Sequence, residues 1–245
     1  MKCVKVTPFR GLCNQLGAIC WAIEAATNRK LDGVWITSMI LDAEHPSQVN
    51  PSTFLDLSAT SENAGIEIFE VAPPKCQVAL NLGVTKYDRG CTTKHASKLV
   101  FSKTILGEVH RFSQTHYNAV HLRIESDMQK HLRNVLKWSG NILGKLYTDY
   151  RDALKSLDTV TRLFVATNFG KTKRTFDSAI PCVEEFKDVF LTPKPDYRIA
   201  NREYRAAIDL CLCIQADNFV GASFSSFSRF ADIVRRGLGK PSTLL

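Results

Sequence analysis

Several things are missing from this 245-residue chain, and each absence narrows what it can be. No apolar run approaches 18 residues, so no membrane-spanning helix is expected. The N-terminus, Met-Lys-Cys-Val-Lys-Val-Thr-Pro-Phe-Arg-Gly, holds no apolar signal core of the usual length. Asp-x-Asp, the metal site of one large class of nucleotide-sugar enzymes, occurs nowhere. Neither Cys-x-x-Cys nor a zinc-type spacing occurs among the 8 cysteines, and no metal site is expected. Every Asn-x-Ser/Thr glycosylation acceptor is absent, since Pro51 disqualifies Asn50-Pro51-Ser52. Reduced, mostly buried thiols are the expectation, and the chain as written reads as cytoplasmic, with the secretory pathway open if it is trimmed.

The charge that is present is uneven. The net charge is +8, and between Lys86 and Lys145 there are 11 Lys or Arg against 4 Asp or Glu, a local excess of 11 − 4 = +7. A basic stretch of this kind can meet nucleic acid, a membrane surface or a phosphorylated substrate. It lacks interleaved aromatic platforms and any nucleic-acid motif, so a solvated face or an anionic substrate is favoured and nucleic acid is not.

The region with most chemistry is Ala119–Met128. Tyr117, Ala119, Val120 and Leu122 suit a strand covered on both faces. Where that strand should end come His121, Arg123, Glu125 and Asp127, and strand carboxyl ends are where open α/β sheets bind ligands. A second candidate anion site is Gly221–Ser228, between a strand and the last helix. Ser225, Ser226 and Ser228, with free N–H groups at a helix start, suit a phosphate. The same serines would serve equally as a plain helix cap. Arg123 offers a planar fork for phosphate oxygens. Asp217, just before the last strand, can accept from a base edge or merely close a turn.

The rest of the chain alternates strands and helices, which predicts parallel sheet. Strands are expected at Cys3–Thr7, Gly33–Ile36, Ile66–Val71, Arg162–Thr167 and Asn218–Val220. A further strand is expected within Val183–Phe190, and a helix or turn over Lys171–Asp177. Helices are expected over 14–28, 99–114, 142–157, 201–215 and 225–236, with an irregular connection over Asp42–Ser61 and no clear period over Cys76–Lys98. The first loop, Pro8–Gln15, precedes a helix but carries one glycine, so it is neither a dinucleotide fingerprint nor a P-loop. The change in regularity near residue 118 predicts two α/β halves, 1–118 and 119–245.

Four short stretches in order resemble the GDP-fucose protein O-fucosyltransferases and related fucosyltransferases. His121-Leu122-Arg123-Ile124-Glu125-Ser126-Asp127 is similar to the family's His-Leu-Arg-x-x-x-Asp. Gly11-Leu12-Cys13-Asn14-Gln15 resembles its Gly-x-x-x-Asn-Gln loop, and Leu163–Asn168 its Val-Ala-Thr-Asp strand. Ala216–Gly221 with Ser225–Ser228 resembles Ala-Asp-x-Phe-x-Gly and Ser-Thr-Phe-Ser/Thr. The resemblance implies a GT-B-like α/β fold: two Rossmann-like α/β domains with a cleft between them, the first a reduced acceptor-side domain, the second binding the nucleotide sugar. It implies a metal-independent inverting fucosyl transfer from GDP-fucose, without a cofactor, to a hydroxyl of a glycan or protein. Arg123 would hold the β-phosphate, with Asn14 as the second catalytic residue. Gly11, Gln15, His121, Asp127, Asn168, Asp217, Ser225, Ser226, Phe227 and Ser228 would line the substrate.

The chain also departs from the pattern. Asn168 stands where the family has aspartate, the chain is shorter than typical members, and Thr7–Gly17 carries no Asp or Glu to act as base. His121, Glu125 and Asp127 are then the nearest base candidates. The alternatives are a transferase using another nucleotide sugar and a non-catalytic nucleotide- or glycan-binding relative.

Overall fold

A computed structural model describes residues 1–40, 47–84, 93–113, 115–124, 126–157, 162–167, 183, 186, 188–190 and 202–245, with the side chains of 83, 84, 93, 126 and 127 left out. The expected helix or turn at Lys171–Asp177 lies outside them, as do residues 184, 185 and 187 of Val183–Phe190 and part of the Asp42–Ser61 connection. The chain forms two compact units. The first comprises Met1–Arg111, Lys194–Ile208 and Arg236–Leu238; the second comprises Phe112–Pro193, Asp209–Arg235 and Gly239–Leu245.

Unit 1 is built on β1 (Lys2–Thr7), α1 (Leu12–Asn28) and β2 (Gly33–Ile36), followed by the short antiparallel pair β3 (Met39–Ile40) and β4 (Gln48–Val49). Next come α2 (Leu57–Ala64), β5 (Glu67–Phe69), β6 (Gln77–Val84), α3 (Thr93–Ala96) and α4 (Lys103–Phe112). Its sheet runs β5-β2-β1-β6 with every pairing parallel. The central strands bury Val4, Val6, Val34 and Ile36, and α1 buries Leu16, Ile19, Cys20, Ile23 and Ala26 at helical spacing, as its sequence predicts. β6 falls in the stretch without a clear period. It is an edge strand with Val78 exposed, so burial imposes little alternation on it.

Cys3 of β1 and Cys76, just before β6, form a disulfide with a sequence separation of 73. This corrects the expectation of reduced thiols for that pair. In the chain-entropy picture, closing such a loop stabilises by about 4 kcal/mol. Cys13, Cys20, Cys211 and Cys213 are buried and form no disulfide among the described residues.

Unit 2 carries β7 (Tyr117–His121), α5 (Ser126–Asn134), α6 (Ile142–Lys155), β8 (Arg162–Ala166) and β9 (Val189–Phe190). They are followed by α7 (Arg202–Gln215), β10 (Phe219–Gly221), α8 (Ser226–Gly237) and β11 (Ser242–Leu244). The first half of α7 belongs to unit 1 and its second half to unit 2. The sheet order is β11-β10-β7-β8-β9, again all parallel. β7 is central and buried at all five positions, as a strand covered on both faces requires. On α6 the stripe Ile142, Leu146, Tyr150 and Leu154 enters the core, and Asn141 caps the helix by accepting from Gly144 N–H at 3.0 Å. The α/β class with parallel sheets is therefore as expected from sequence.

Candidate active site

β7 and β10 run parallel with Val120 beside Val220, so His121 and Gly221 emerge at the same carboxyl edge. Immediately beyond lie Arg123 and the start of α8. Ser228, fully buried one turn into α8, ties the edge together. Its Oγ accepts from Ala222 N–H at 3.1 Å and lies 2.7 Å from His121 Nδ1. The hydroxyl keeps a donor and a second acceptor position beside that N–H, so either tautomer of His121 satisfies the contact. Burial, and then the charge of Arg123, lower the His121 pKa to about 3. The ring is therefore neutral at physiological pH. Phe227 covers the imidazole at 4.3 Å between ring centroids.

Gly221 makes this convergence possible. A Cβ there would lie 2.7 Å from Ser228 Cβ and Oγ and 2.8 Å from the Phe219 ring, so only glycine lets β10 approach α8 this closely. Tyr150, from α6, fixes the end of β7. Its hydroxyl donates to His121 C=O at 2.8 Å and accepts from Arg123 N–H at 3.1 Å. The backbone carrying Arg123 is thus locked, while its side chain stays half-buried. Tyr150 did not stand out as a site residue in the sequence, because it acts through the backbone groups it bonds; Gly221 opens the candidate anion stretch, and its close approach to α8 is the role the structure adds.

Ser225 caps α8, its carbonyl accepting from Arg229 N–H at 3.0 Å. Ser226 and Phe227 are half-buried in the first turn, where N–H groups and the helix dipole favour an anion. Thr167 ends β8 on the same edge, since His121 pairs with Ala166, and its hydroxyl is buried with no hydrogen-bond partner among the described residues. Asp127 lies in the first turn of α5, with its side chain outside the described residues; Glu125 and Asn168 lie outside them altogether.

Asp217 is not part of this edge. Its N–H donates to Tyr117 C=O at 2.9 Å, which places it at the amino end of β7, four residues before His121. At ~3.3 Å per residue that is roughly 13 Å away. Its carboxylate pairs with exposed His116 at 3.1 Å instead. A residue preceding a parallel strand lies at the sheet edge opposite the strands' carboxyl ends, so Asp217 stands apart from His121 and Arg123.

The loop of unit 1 is equally well determined. Gln15 is fully buried, and its amide donates to Arg10 C=O at 2.8 Å and Ile40 C=O at 3.0 Å while accepting from Ile40 N–H at 2.7 Å. It shapes the loop and presents no free amide. Arg10 sits at φ 74°, a left-handed conformation that costs a side-chain residue roughly 1 kcal/mol. Gly11 N-caps α1 and Asn14 is half-buried in its first turn. Among the described residues no three His, Cys, Asp or Glu side chains cluster as metal ligands. No helix among them is long and apolar enough to cross a membrane.

A structure of POFUT1 in complex with GDP-fucose aligns over 100% of this chain and 97% of its own, with TM-score 0.71 and 12% identity. POFUT1 in complex with GDP gives TM-score 0.70 over 99% and 98%, also at 12% identity. The fucosyltransferase NodZ from Bradyrhizobium gives 0.63 over 94% and 92% at 16% identity. At these identities the likeness establishes the fold. No curated protein sequence matches the chain. The profile described as GDP-fucose protein O-fucosyltransferase matches residues 52–238, taking in the His121–Arg123 strand end and the Ser225–Ser228 turn but not the Gly11–Gln15 loop. The chain therefore belongs to the GDP-fucose protein O-fucosyltransferase family and is a GDP-fucose-dependent fucosyltransferase.

Proposed function

We propose that the enzyme transfers fucose to a hydroxyl of a glycan or protein by a single inverting displacement that uses no metal ion. The observation that carries this reading is the carboxyl edge of β7, β8 and β10. It combines a cation on a locked backbone, Arg123, with the open N-terminus of α8. Together they supply the positive charge that a departing diphosphate needs. As the bond from the fucose anomeric carbon to the β-phosphate oxygen breaks, negative charge accumulates on that phosphate. Preorganised donors there act mostly in the transition state.

His121 contributes as a neutral, fixed ring beneath Phe227, and Ser225, Ser226 and Phe227 form the turn that receives the diphosphate. Gly11 and Gln15 shape the first loop, and its Asn14 has the side chain to hold the acceptor hydroxyl by hydrogen bonding. Asp127 and Asn168 are carried as nucleotide-side contacts by family resemblance. The protein would then divide into an acceptor-side domain, 1–118, and a nucleotide-sugar-binding domain, 119–245. That POFUT1 has been solved with GDP-fucose and NodZ is named an alpha-1,6-fucosyltransferase supports the donor and leaves both protein and glycan acceptors in play.

The test is calorimetric titration of GDP, UDP and GDP-fucose, each with and without EDTA, followed by GDP release from GDP-fucose. GDP and GDP-fucose should bind equally well in both buffers and UDP should not bind. Loss of GDP affinity on chelation refutes metal independence, and preference for UDP refutes the donor.

A further inference from the structure

The first loop contains no acidic residue of its own, yet a carboxylate is built into it from the far end of the chain. Glu203, in the first turn of α7, is 191 residues from Leu12 in sequence and accepts from Leu12 N–H at 2.5 Å through Oε2. Its side chain is 3% exposed. The carboxylate lies against the loop backbone: a Cβ on Gly11 would sit 3.7 and 3.8 Å from its two oxygens. Gly11 has no side chain with which to cap α1, and α1 has no acidic residue in its first turn. Glu203 therefore supplies both the acceptor and the negative charge that the N-terminus of a helix favours.

The loop is then held from two sides. Gln15 clamps it to β3 through Arg10 C=O and Ile40, and Glu203 holds the opposite flank at Leu12. Between these anchors Asn14 N–H donates to Gly11 C=O at 2.9 Å, so the orientation of residue 14 follows from that of Gly11 and Leu12. The Asn14 side chain makes no hydrogen bond among the described residues and is half-exposed. Glu203 is closed off from solvent and cannot itself meet an acceptor.

We propose that Glu203 is the positioning residue for Asn14, setting the geometry of the first loop through the Leu12 amide. This rests on the fucosyl-transfer reading above, in which Asn14 acts on the attacking hydroxyl. A displaced reacting group costs turnover rather than donor affinity, and a shift of about 1 Å is worth on the order of 100-fold.

The experiment measures GDP release from GDP-fucose, GDP affinity and thermal melting. The proteins compared are the parent, Glu203→Gln, Glu203→Ala, Asn14→Ala and the Glu203→Ala/Asn14→Ala double variant. Glu203→Ala should lower GDP release about 10- to 100-fold, with GDP affinity within about twofold of the parent, because other elements receive the diphosphate. Glu203→Gln keeps an acceptor oxygen in place and should recover most of the rate. The double variant should be no slower than Asn14→Ala alone, since a residue acting through Asn14 has nothing left to act on. Multiplicative losses in the double variant, or Glu203→Gln as slow as Glu203→Ala, overturn the assignment. If Glu203→Ala does not fold, Glu203→Asp replaces it in both comparisons; its shorter side chain should withdraw the oxygen from Leu12 and lower the rate with folding retained. A folded parent that neither binds GDP nor releases it from GDP-fucose refutes the fucosyl-transfer reading itself, whereas an active parent with multiplicative variants refutes only the role of Glu203.

Discussion

Arg235 offers the sharpest test of how unit 2 is held together. It is fully buried in α8, and its guanidinium reaches the last carbonyls of α7. Nη1 donates to Cys213, Ile214 and Ala216 C=O at 2.9, 3.0 and 2.8 Å. Nη2 donates to Asp217 C=O at 2.9 Å and Pro241 C=O at 2.6 Å, and Nε donates to Ser242 Oγ at 3.2 Å. Burial lowers the Arg235 pKa, but an arginine has ample margin and stays charged. Two effects compete when it is replaced by an apolar side chain. Burying a cation is costly, so removing it recovers desolvation. Its partners, however, are main-chain carbonyls that no substitution removes, and they stay buried with their acceptor capacity unmet. At about 1 kcal/mol net per lost bond, Arg235→Met should destabilise by roughly 4–5 kcal/mol, a large part of the 5–15 kcal/mol typical of a domain. Arg235→Lys, with three donors on one nitrogen, should lose about half as much. Urea denaturation followed by circular dichroism measures both. If Arg235→Met stayed within about 1 kcal/mol of the parent, the carbonyls would be finding other donors and the argument would be wrong.

Other expectations follow from the active-site edge. Arg123→Ala should lower GDP release about 100- to 1,000-fold with melting unchanged, and Arg123→Lys should be nearly as slow because an ammonium lacks the two-pronged fork; near-parent turnover of the lysine variant refutes the role. Gly221→Ala forces Ser228 away from β10, so it should cost about 1–3 kcal/mol and weaken GDP together; parent-like melting and GDP affinity would show that the close approach is dispensable. His121 binds its proton more weakly folded, with a pKa of about 3, than unfolded, near 6.5. The unfolded state therefore takes up more protons in this window, and stability is lost as pH falls below about 6, by up to about 1.4 kcal/mol per unit from this group. Chemical denaturation between pH 4 and 8 checks the sign, and His121→Asn should flatten the slope.

How much of the fold was legible in the sequence depended on burial. β2 was expected at Gly33–Ile36 and runs over those residues, and α6 starts at Ile142 as expected, because both face a core that imposes apolar spacing. α5 was not foreseen. Of its nine residues only Met128 and Leu132 are buried apolar anchors, and Lys130, His131 and Arg133 read as loop. β6 and β11 escaped for a related reason: both are edge strands, with one side unpaired and little burial to enforce a period. The Cys3–Cys76 bridge left no spacing signature because its two cysteines are brought together by the pairing of β1 with β6.

The candidate site was legible at the level of residue type and obscure at the level of role, for a physical reason. Strand ends and helix starts concentrate polar side chains whether these face a ligand or satisfy the backbone, and composition cannot separate the two uses. The structure separates them by following each bond to its partner. Gln15 and Ser228 are consumed internally: one closes a loop onto β3, and the other fastens α8 to β10 and to His121. His121, consumed in the same way, is neutral and holds the edge rigid. Ser226, Arg123 and Asn14 keep exposed polar surface on backbones that those buried groups have fixed. Asp217 lies before its strand, and Glu203 reaches the first loop from a helix nearly two hundred residues away. In both cases strand direction and tertiary placement decided the outcome, and a local stretch of sequence encodes neither. A transferase that must stabilise leaving-group charge without reorganising needs fixed dipoles more than it needs many free ones. The buried polar residues at this edge are the physical means by which Arg123 and the α8 N-terminus are kept still.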